Sequence, residues 1–284
     1  MFTSLTGGSW LLADGEPAAE LPPVGTMLMT LCGITPIVRV RTAEPTVTAR
    51  NEATEGTAAG TGIAARLFRA AGCRVLGVDP DPRMAELARQ GGTEVEVAKF
   101  EDWESAGRTF DAVIAAQAWH WVDPVAGVAK AAAVLRPGGR LAAFWNAFEP
   151  PKDLREAFAE IFRRVLPDSA VRGFWDRPAV EAYRAGCARV ADAIRRAGAF
   201  GEPEEWLSCW ERPYTRDEWL DLVPTTGGFT QRPEAVQAEL LDSLGAVVDA
   251  AGGTFTMSYT TIAATAARLA SQQAGTCPER SRQA

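Results

Sequence analysis

The stretch that decides the fold is Gly56–Gln90, "GTAAGTGIAARLFRAAGCRVLGVDPDPRMAELARQ". A glycine turn at Gly60–Gly62 opens an amphipathic helix that Gly72 stops, "RVLGVD" (Arg74–Asp79) follows as a buried strand, and an acid ends that strand. Asp81 then stands as N-cap and Pro82 as first residue of the next helix. This is a βαβ unit without its first strand, because the preceding residues, "RTAEPTVTARNEATE" (Arg41–Glu55), are too polar for a core.

Downstream the rhythm is regular, helical stretches alternating with short β-rich runs, which is the pattern of a parallel sheet wrapped by helices. "TEVEVAKF" (Thr93–Phe100) and "FDAVIAA" (Phe110–Ala116) read as strands, "VDPVAGVAKAAAVL" (Val122–Leu135) as a helix, and "GRLAAFWNAF" (Gly139–Phe148) as the next strand. Two amphipathic helices follow, "DLREAFAEIFRRVL" (Asp153–Leu166) and a longer one stopped by Gly198. "EEWLSCWERPYT" (Glu204–Thr215) and "TFTMSYTTIAATAARL" (Thr254–Leu269) alternate as strands. Between them lie a short helix capped by Thr215 and a longer helix over residues 233–252. The upstream segment, residues 1–57, holds no sustained period apart from pieces such as "PIVRVR" (Pro36–Arg41), and is expected to be atypical and poorly ordered. The domain proper spans 58–270, with a helical lid over about 150–200 and a disordered tail over 271–284.

With 284 residues and 47% apolar content the chain can bury a large core. A net charge of −7 without a basic stripe argues against a nucleic-acid partner. Five cysteines without a CxxC pair read as reduced thiols and argue against a metal site built from them. The most apolar run, "VGTMLMTLCGITPIV" (Val24–Val38), is broken by Gly33 and Pro36 and is shorter than the roughly 20 residues of a membrane span. No membrane partner and a cytoplasmic location are expected.

In an open α/β sheet, ligands bind at the carboxyl ends of the strands. That rule puts the Gly60 turn, Asp79, and the segments after "VEVAKF" and "FDAVIAA" on one rim, where glycines admit a ligand to the backbone and an acid can hold a ribose diol. The ordered set "AGTGIAARLF", "VLGVDPDPRMAELA", "FDAVIAAQAWHWVD" and "LRPGGRLAAFWN" resembles the class I S-adenosylmethionine-dependent methyltransferases that act on small molecules. The resemblance runs from about Gly60 to Arg268. It implies a Rossmann-like, mostly parallel seven-stranded sheet with an antiparallel last strand and helices on both faces. It also implies S-adenosyl-L-methionine as cofactor and a small-molecule methyl acceptor with an O, N or C nucleophile.

On the same resemblance, Ala58, Gly60, Thr61 and Gly62 line the methionine part of the cofactor, and Asp79 with Pro80 holds the ribose. Phe100 and Glu101 meet the adenine, and Ala116 and Gln117 open onto the sulfonium. The family's first motif is degenerate here: Ala58 replaces a glycine, Gly56 replaces an acid, and Thr54 and Glu55 fall where the first strand should be apolar. The first strand is therefore expected to be degraded, with "PIVRVR" or "GTAAG" as a substitute. A frame change or altered start upstream of Ala58 accounts for such a segment.

His120, the single histidine, is either a general base or a structural, substrate-lining group. Trp119 and Trp121 either line the substrate or fill the core, and for Trp145, in a strand, the core reading is favoured. Glu101 and Asp102 read as solvated loop charges with one adenine contact. Two rival readings remain: an NAD-binding oxidoreductase, since "GTGIAA" also fits Gly-x-Gly-x-x-Ala, and a catalytically silent protein that keeps the fold without the site.

Overall fold

A computed structural model describes the backbone of residues 9–11, 17–20 and 26–31, and residues 62–167, 175, 178–225, 229 and 232–270. Three strands, β1 (Ser9–Leu11), β2 (Pro17–Glu20) and β3 (Thr26–Leu31), precede α1 (Ile63–Ala70) and β4 (Arg74–Asp79). Then come α2 (Pro82–Gln90), β5 (Glu94–Val97), β6 (Phe110–Ala116), a 3₁₀ turn at Trp119–Trp121, α3 (Pro124–Val134) and β7 (Leu135–Glu149). The remaining elements are α4 (Lys152–Val165), α5 (Ala179–Ala197), β8 (Glu204–Thr215), α6 (Arg216–Leu222), α7 (Glu234–Ala250) and β9 (Thr254–Ala267).

Seven strands form one sheet in the order β5-β4-β3-β6-β7-β9-β8, and β1 and β2 pair separately. Strands β3 to β7 run parallel, whereas β9 is antiparallel to both β7 and β8. The expected sheet is present, but its middle is filled by an unexpected segment. Thr26–Leu31 ("TMLMTL") pairs with β4 on one side, Met27 opposite Val75, and with β6 on the other, Met27 opposite Ala112. The two substitutes expected for this place, "PIVRVR" and "GTAAG", lie outside the described residues, as do Thr54, Glu55 and the tail beyond residue 270. The apolar run Val24–Val38, weighed above only as a membrane span, contains the central strand, and both flanking strands have their ladders completed by it.

The burial pattern follows from the period of two along each strand. Val113, Ala115, Leu141, Ala143, Trp145, Ile262 and Ala264 point to one face, where α3 and α5 supply Val128, Ala131, Val190 and Ile194. Ala112, Ile114, Ala142, Phe144 and Ala263 point to the other, where α1 and α2 supply Ala65, Phe68, Ala85 and Ala88. Many of these are alanines, so helices and sheet approach closely and the larger side chains interlock between them.

Helix boundaries have local causes. Asp81 accepts from Arg83 N at 2.9 Å to start α2, and Asp123 accepts from Val125 N and Ala126 N at 3.0 and 2.8 Å to start α3. Thr215 and Glu218 form a reciprocal capping box at α6. Gly198 ends α5 with φ 62, a conformation that glycine adopts without steric cost.

Strand β7 outlasts its parallel neighbours. Its residue Phe144 is level with Ala116, the last of β6, and it continues to Glu149 alongside β9 and β8. The antiparallel ribbon therefore projects beyond the rim of the parallel strands. Its projecting part is packed by α4, α6 and α7 around Phe158, Trp219, Tyr214, Phe255 and Tyr259, with Phe158 stacked on Trp219 at 5.5 Å.

Candidate active site

Register fixes which residues meet at the carboxyl ends. Asp79 is level with Val97, Leu31 with Ala116, and Ala116 with Phe144. Asp79, Ala116 and the segments after them thus share one edge, as the ligand-binding rule for open sheets requires.

Asp79 is 3% exposed, and its Oδ1 accepts from Asp81 N at 2.8 Å. Burial pushes its carboxyl up to about 6, against the lowering effect of that hydrogen bond, with the nearby Asp81 carboxylate adding to the rise. A buried carboxylate with one recorded donor retains acceptor capacity for a ligand. Val97 beside it is 46% exposed, an apolar surface left open at the rim, and Pro80 is exposed as well.

The segment after β5 is held from several sides. Trp103 Nε1 donates to Glu96 at 2.6 Å, Arg108 donates to both Glu96 carboxylate oxygens at 2.7 and 2.9 Å, and Lys130 donates to the Trp103 carbonyl at 2.8 Å. These bonds fix the loop that carries Phe100 and Glu101. Phe100 is buried and packs on Trp119 with centroids 6.2 Å apart. Glu101 has a role that its sequence context does not announce: its Oε1 accepts the Asp123 backbone N–H at 2.6 Å, so it braces the start of α3.

Beyond β6 the backbone turns sharply. Gln117 has φ 54, unusual for a residue with a side chain, while its N–H still donates to Phe144 O at 2.9 Å. That conformation costs roughly 1–2 kcal/mol. Gln117 is 3% exposed, and its Oε1 is buried without a hydrogen-bond partner among the described residues, as is the indole nitrogen of Trp119. A strained backbone, an orphaned acceptor and an orphaned donor within three residues mark this corner as built for something other than stability. Trp119 is held by Gly127, where a Cβ would stand 3.2 Å from Trp119 Cζ2. Trp121, 72% exposed, lies against the His120 ring at 5.1 Å. Trp145 is buried in β7, as expected, but its Nε1–H also donates to His120 Nδ1 at 3.3 Å. Desolvation holds the imidazole below the usual histidine range.

Asp79, Phe100, Glu101, Ala116, Gln117, Trp119, His120 and Trp121 thus stand along the carboxyl edge of the sheet. Gly62 does not join them. It begins α1 with φ 76, and a Cβ there would stand 3.2 Å from Thr93 Oγ1 and 3.4 Å from the Ala88 methyl. Thr93 immediately precedes β5 and Asp79 is level with that strand's last residue, so the contact sets Gly62 roughly 13 Å along the strand from the level of Asp79. Ala58, Gly60 and Thr61 lie outside the described residues. The links from Trp145 to His120 and from Glu101 to Asp123 were missed in the sequence, since they join residues more than twenty positions apart and leave no local signature.

The acceptor groups fit the nucleoside part of S-adenosylmethionine: a buried carboxylate for a diol, apolar Val97 and Phe100 beside it, and a buried amide oxygen after β6 on the same rim. Among the described residues no cluster of His, Cys, Asp and Glu could hold a metal, and no helix is long and apolar enough to cross a membrane.

The comparisons with known proteins agree with this geometry. The family model described as a methyltransferase domain matches residues 57–143. Uncharacterized methyltransferases of Mycobacterium tuberculosis and Mycobacterium bovis are 41% identical over 90 residues, which are 31% of this chain and 37% of each relative. The chain therefore matches little more than a third of the length of these curated relatives. A solved structure described as a type II methyltransferase from Anaeromyxobacter dehalogenans shares the fold, with TM-score 0.51 and 20% identity over 86% of this chain and 90% of that one. Over residues 57–143 the chain is therefore similar to methyltransferase domains.

Proposed function

We propose that the chain transfers the methyl group of S-adenosylmethionine to an O, N or C nucleophile of a small molecule, in the cytoplasm, using a domain of residues 58–270 completed by β3. The observation that carries this reading is the buried Asp79 carboxylate at the end of β4, level with the open Val97 surface and on the same rim as the buried Gln117 Oε1. When bound, the cofactor supplies an electrophilic methyl group on a sulfonium. Asp79 accepts the ribose hydroxyls, Val97 and Phe100 flank the adenine, and Ala116 and Gln117 face the sulfonium end. Trp119 and Trp121 line the acceptor. Their work is proximity and orientation, since an in-line displacement at a methyl group needs little else. Ala58, Gly60 and Thr61, which lie outside the described residues, keep the methionine part in this reading, Gly62 serves as the start of α1, and Pro80 borders the ribose.

One observation favours a second reading, a silent protein that retains the fold: Gly62 packs on Thr93 and Ala88 and not beside Asp79. Calorimetric titration with S-adenosylmethionine, S-adenosylhomocysteine and NAD separates the readings. The proposal expects binding of the first two, lost in Asp79→Ala. Binding of NAD alone would overturn it in favour of an oxidoreductase, and binding of none would establish the silent reading.

A further inference from the structure

His120 sits immediately beyond Trp119 in the 3₁₀ turn at the end of β6, and its Nδ1 receives the indole N–H of Trp145 from the adjacent strand β7. A neutral imidazole carries one proton on two nitrogens. If Nδ1 accepts, its lone pair is engaged and the proton resides on Nε2. A ring turned over would point a C–H at the indole N–H and lose the bond. Protonating Nδ1 would drive a second N–H against that of Trp145, and burial opposes the charged form in the same sense. For Nε2 to serve as a base, the proton would have to move to Nδ1 and break the same hydrogen bond.

We propose that Trp145 is a positioning residue that locks His120 as an Nε2–H donor, and that His120 binds methyl acceptors carrying a carboxylate or carbonyl oxygen on a flat apolar body. The proposal rests on the methyltransferase reading for the identity of the reaction. The body rests on Trp121, whose exposed ring lies 5.1 Å from the imidazole, and the oxygen receives Nε2–H. The nucleophile is another atom of the same molecule. Its lone pair forms the new bond to the methyl carbon as the carbon–sulfur bond breaks onto sulfur, and no proton passes to His120. A nucleophile that must lose a proton loses it to solvent.

Because the chain has one histidine, labelling that residue type with nitrogen-15 gives a single imidazole in the full-length protein. Long-range proton–nitrogen spectra of the free protein should show Nε2 protonated and Nδ1 bare, with the preference lost in Trp145→Phe. A wild-type ring protonated on Nδ1 overturns the proposal, and this measurement needs neither a variant nor a bound cofactor. In the presence of S-adenosylhomocysteine, benzoate should bind at least about tenfold tighter than benzylamine, with the advantage lost in His120→Ala and partly kept in His120→Gln. Equal binding of the two probes also overturns it. The tautomer is read without ligand, so failure of cofactor binding would be seen separately.

Discussion

Glu101 Oε1 and the Asp123 backbone N–H meet at 2.6 Å, joining the loop after β5 to the first turn of α3. Asp123 in turn caps two further N–H groups of that helix, and Trp119–Trp121 lies just before it in the chain. The loop after β5 and the Trp119–Trp121 turn therefore share a support. Glu101→Ala should lower unfolding stability by about 1–2 kcal/mol, while Glu101→Gln, which keeps a carbonyl acceptor, should lose less than half of that. Urea denaturation of the two variants checks it, and equal losses would show that the link is not what holds the helix.

The Asp79 carboxyl, pushed up to about 6, sets two opposite pH dependences. Its folded value lies above its unfolded one, so the native state holds the proton more tightly. Stability from this group is complete below the unfolded value near 4 and is lost as pH rises through about 6, an amount of roughly 2–3 kcal/mol. Ribose binding needs the ionised form, so cofactor affinity should fall as pH drops below about 6. Asp79→Asn should be more thermostable than wild type at pH 7 and bind S-adenosylmethionine at least about tenfold more weakly. Thermal melts and calorimetry across pH 4.5–8 (a range chosen about the shifted value) read both effects; a variant less stable at neutral pH would contradict the assignment.

Gly127 in α3 is a packing requirement. A Cβ there would fall 2.3 Å from Val122 Cγ1 and 3.2 Å from Trp119 Cζ2. Helix propensity alone would favour Gly127→Ala by up to about 1 kcal/mol, but overpacking costs about 1–3 kcal/mol and should win. Val122→Ala on the same background should restore most of the stability by vacating the space. Differential scanning calorimetry of the single and double variants decides it.

Arg140 is 8% exposed in β7, donating to Glu204 at 2.7 Å and to Thr265 at 3.2 Å, with its guanidinium 5.1 Å from the Trp206 ring. Removing only its carboxylate partner leaves a buried charge, so Glu204→Gln should destabilise by about 2–3 kcal/mol. Arg140→Met, which removes the charge and keeps the apolar stem, should cost less. The reverse ranking in guanidinium melts would mean that Glu204 is not its essential partner.

Most of the fold was legible because its signals are local. Asp81 and Thr215 announce the helices that follow them, Gly198 ends one, and the alternation in Glu204–Thr215 and Thr254–Ala267 announces strands, whose antiparallel pairing came only from the family resemblance. Thr26–Leu31 was not legible, since a short apolar run without alternation gives no period, and its meaning comes from β4 and β6 far downstream. At the candidate site, Asp79 was singled out by its place at a strand end and Gln117 by the family resemblance. The left-handed backbone at Gln117 and the Trp145–His120 bond were not, because they arise only when distant strands are set side by side. Gly62 shows the converse: a persuasive local motif whose packing partners, Thr93 and Ala88, belong to other elements.

The placement of β3 at the heart of the sheet has a consequence for severed forms of the chain. A peptide ending at Leu31 contains the whole strand that β4 and β6 clasp, and it enters their gap by backbone bonding on both edges. Such a peptide and the remainder beginning at Cys32, produced separately, should be insoluble or molten alone and should recombine into one native particle when mixed, in the manner of a split reporter.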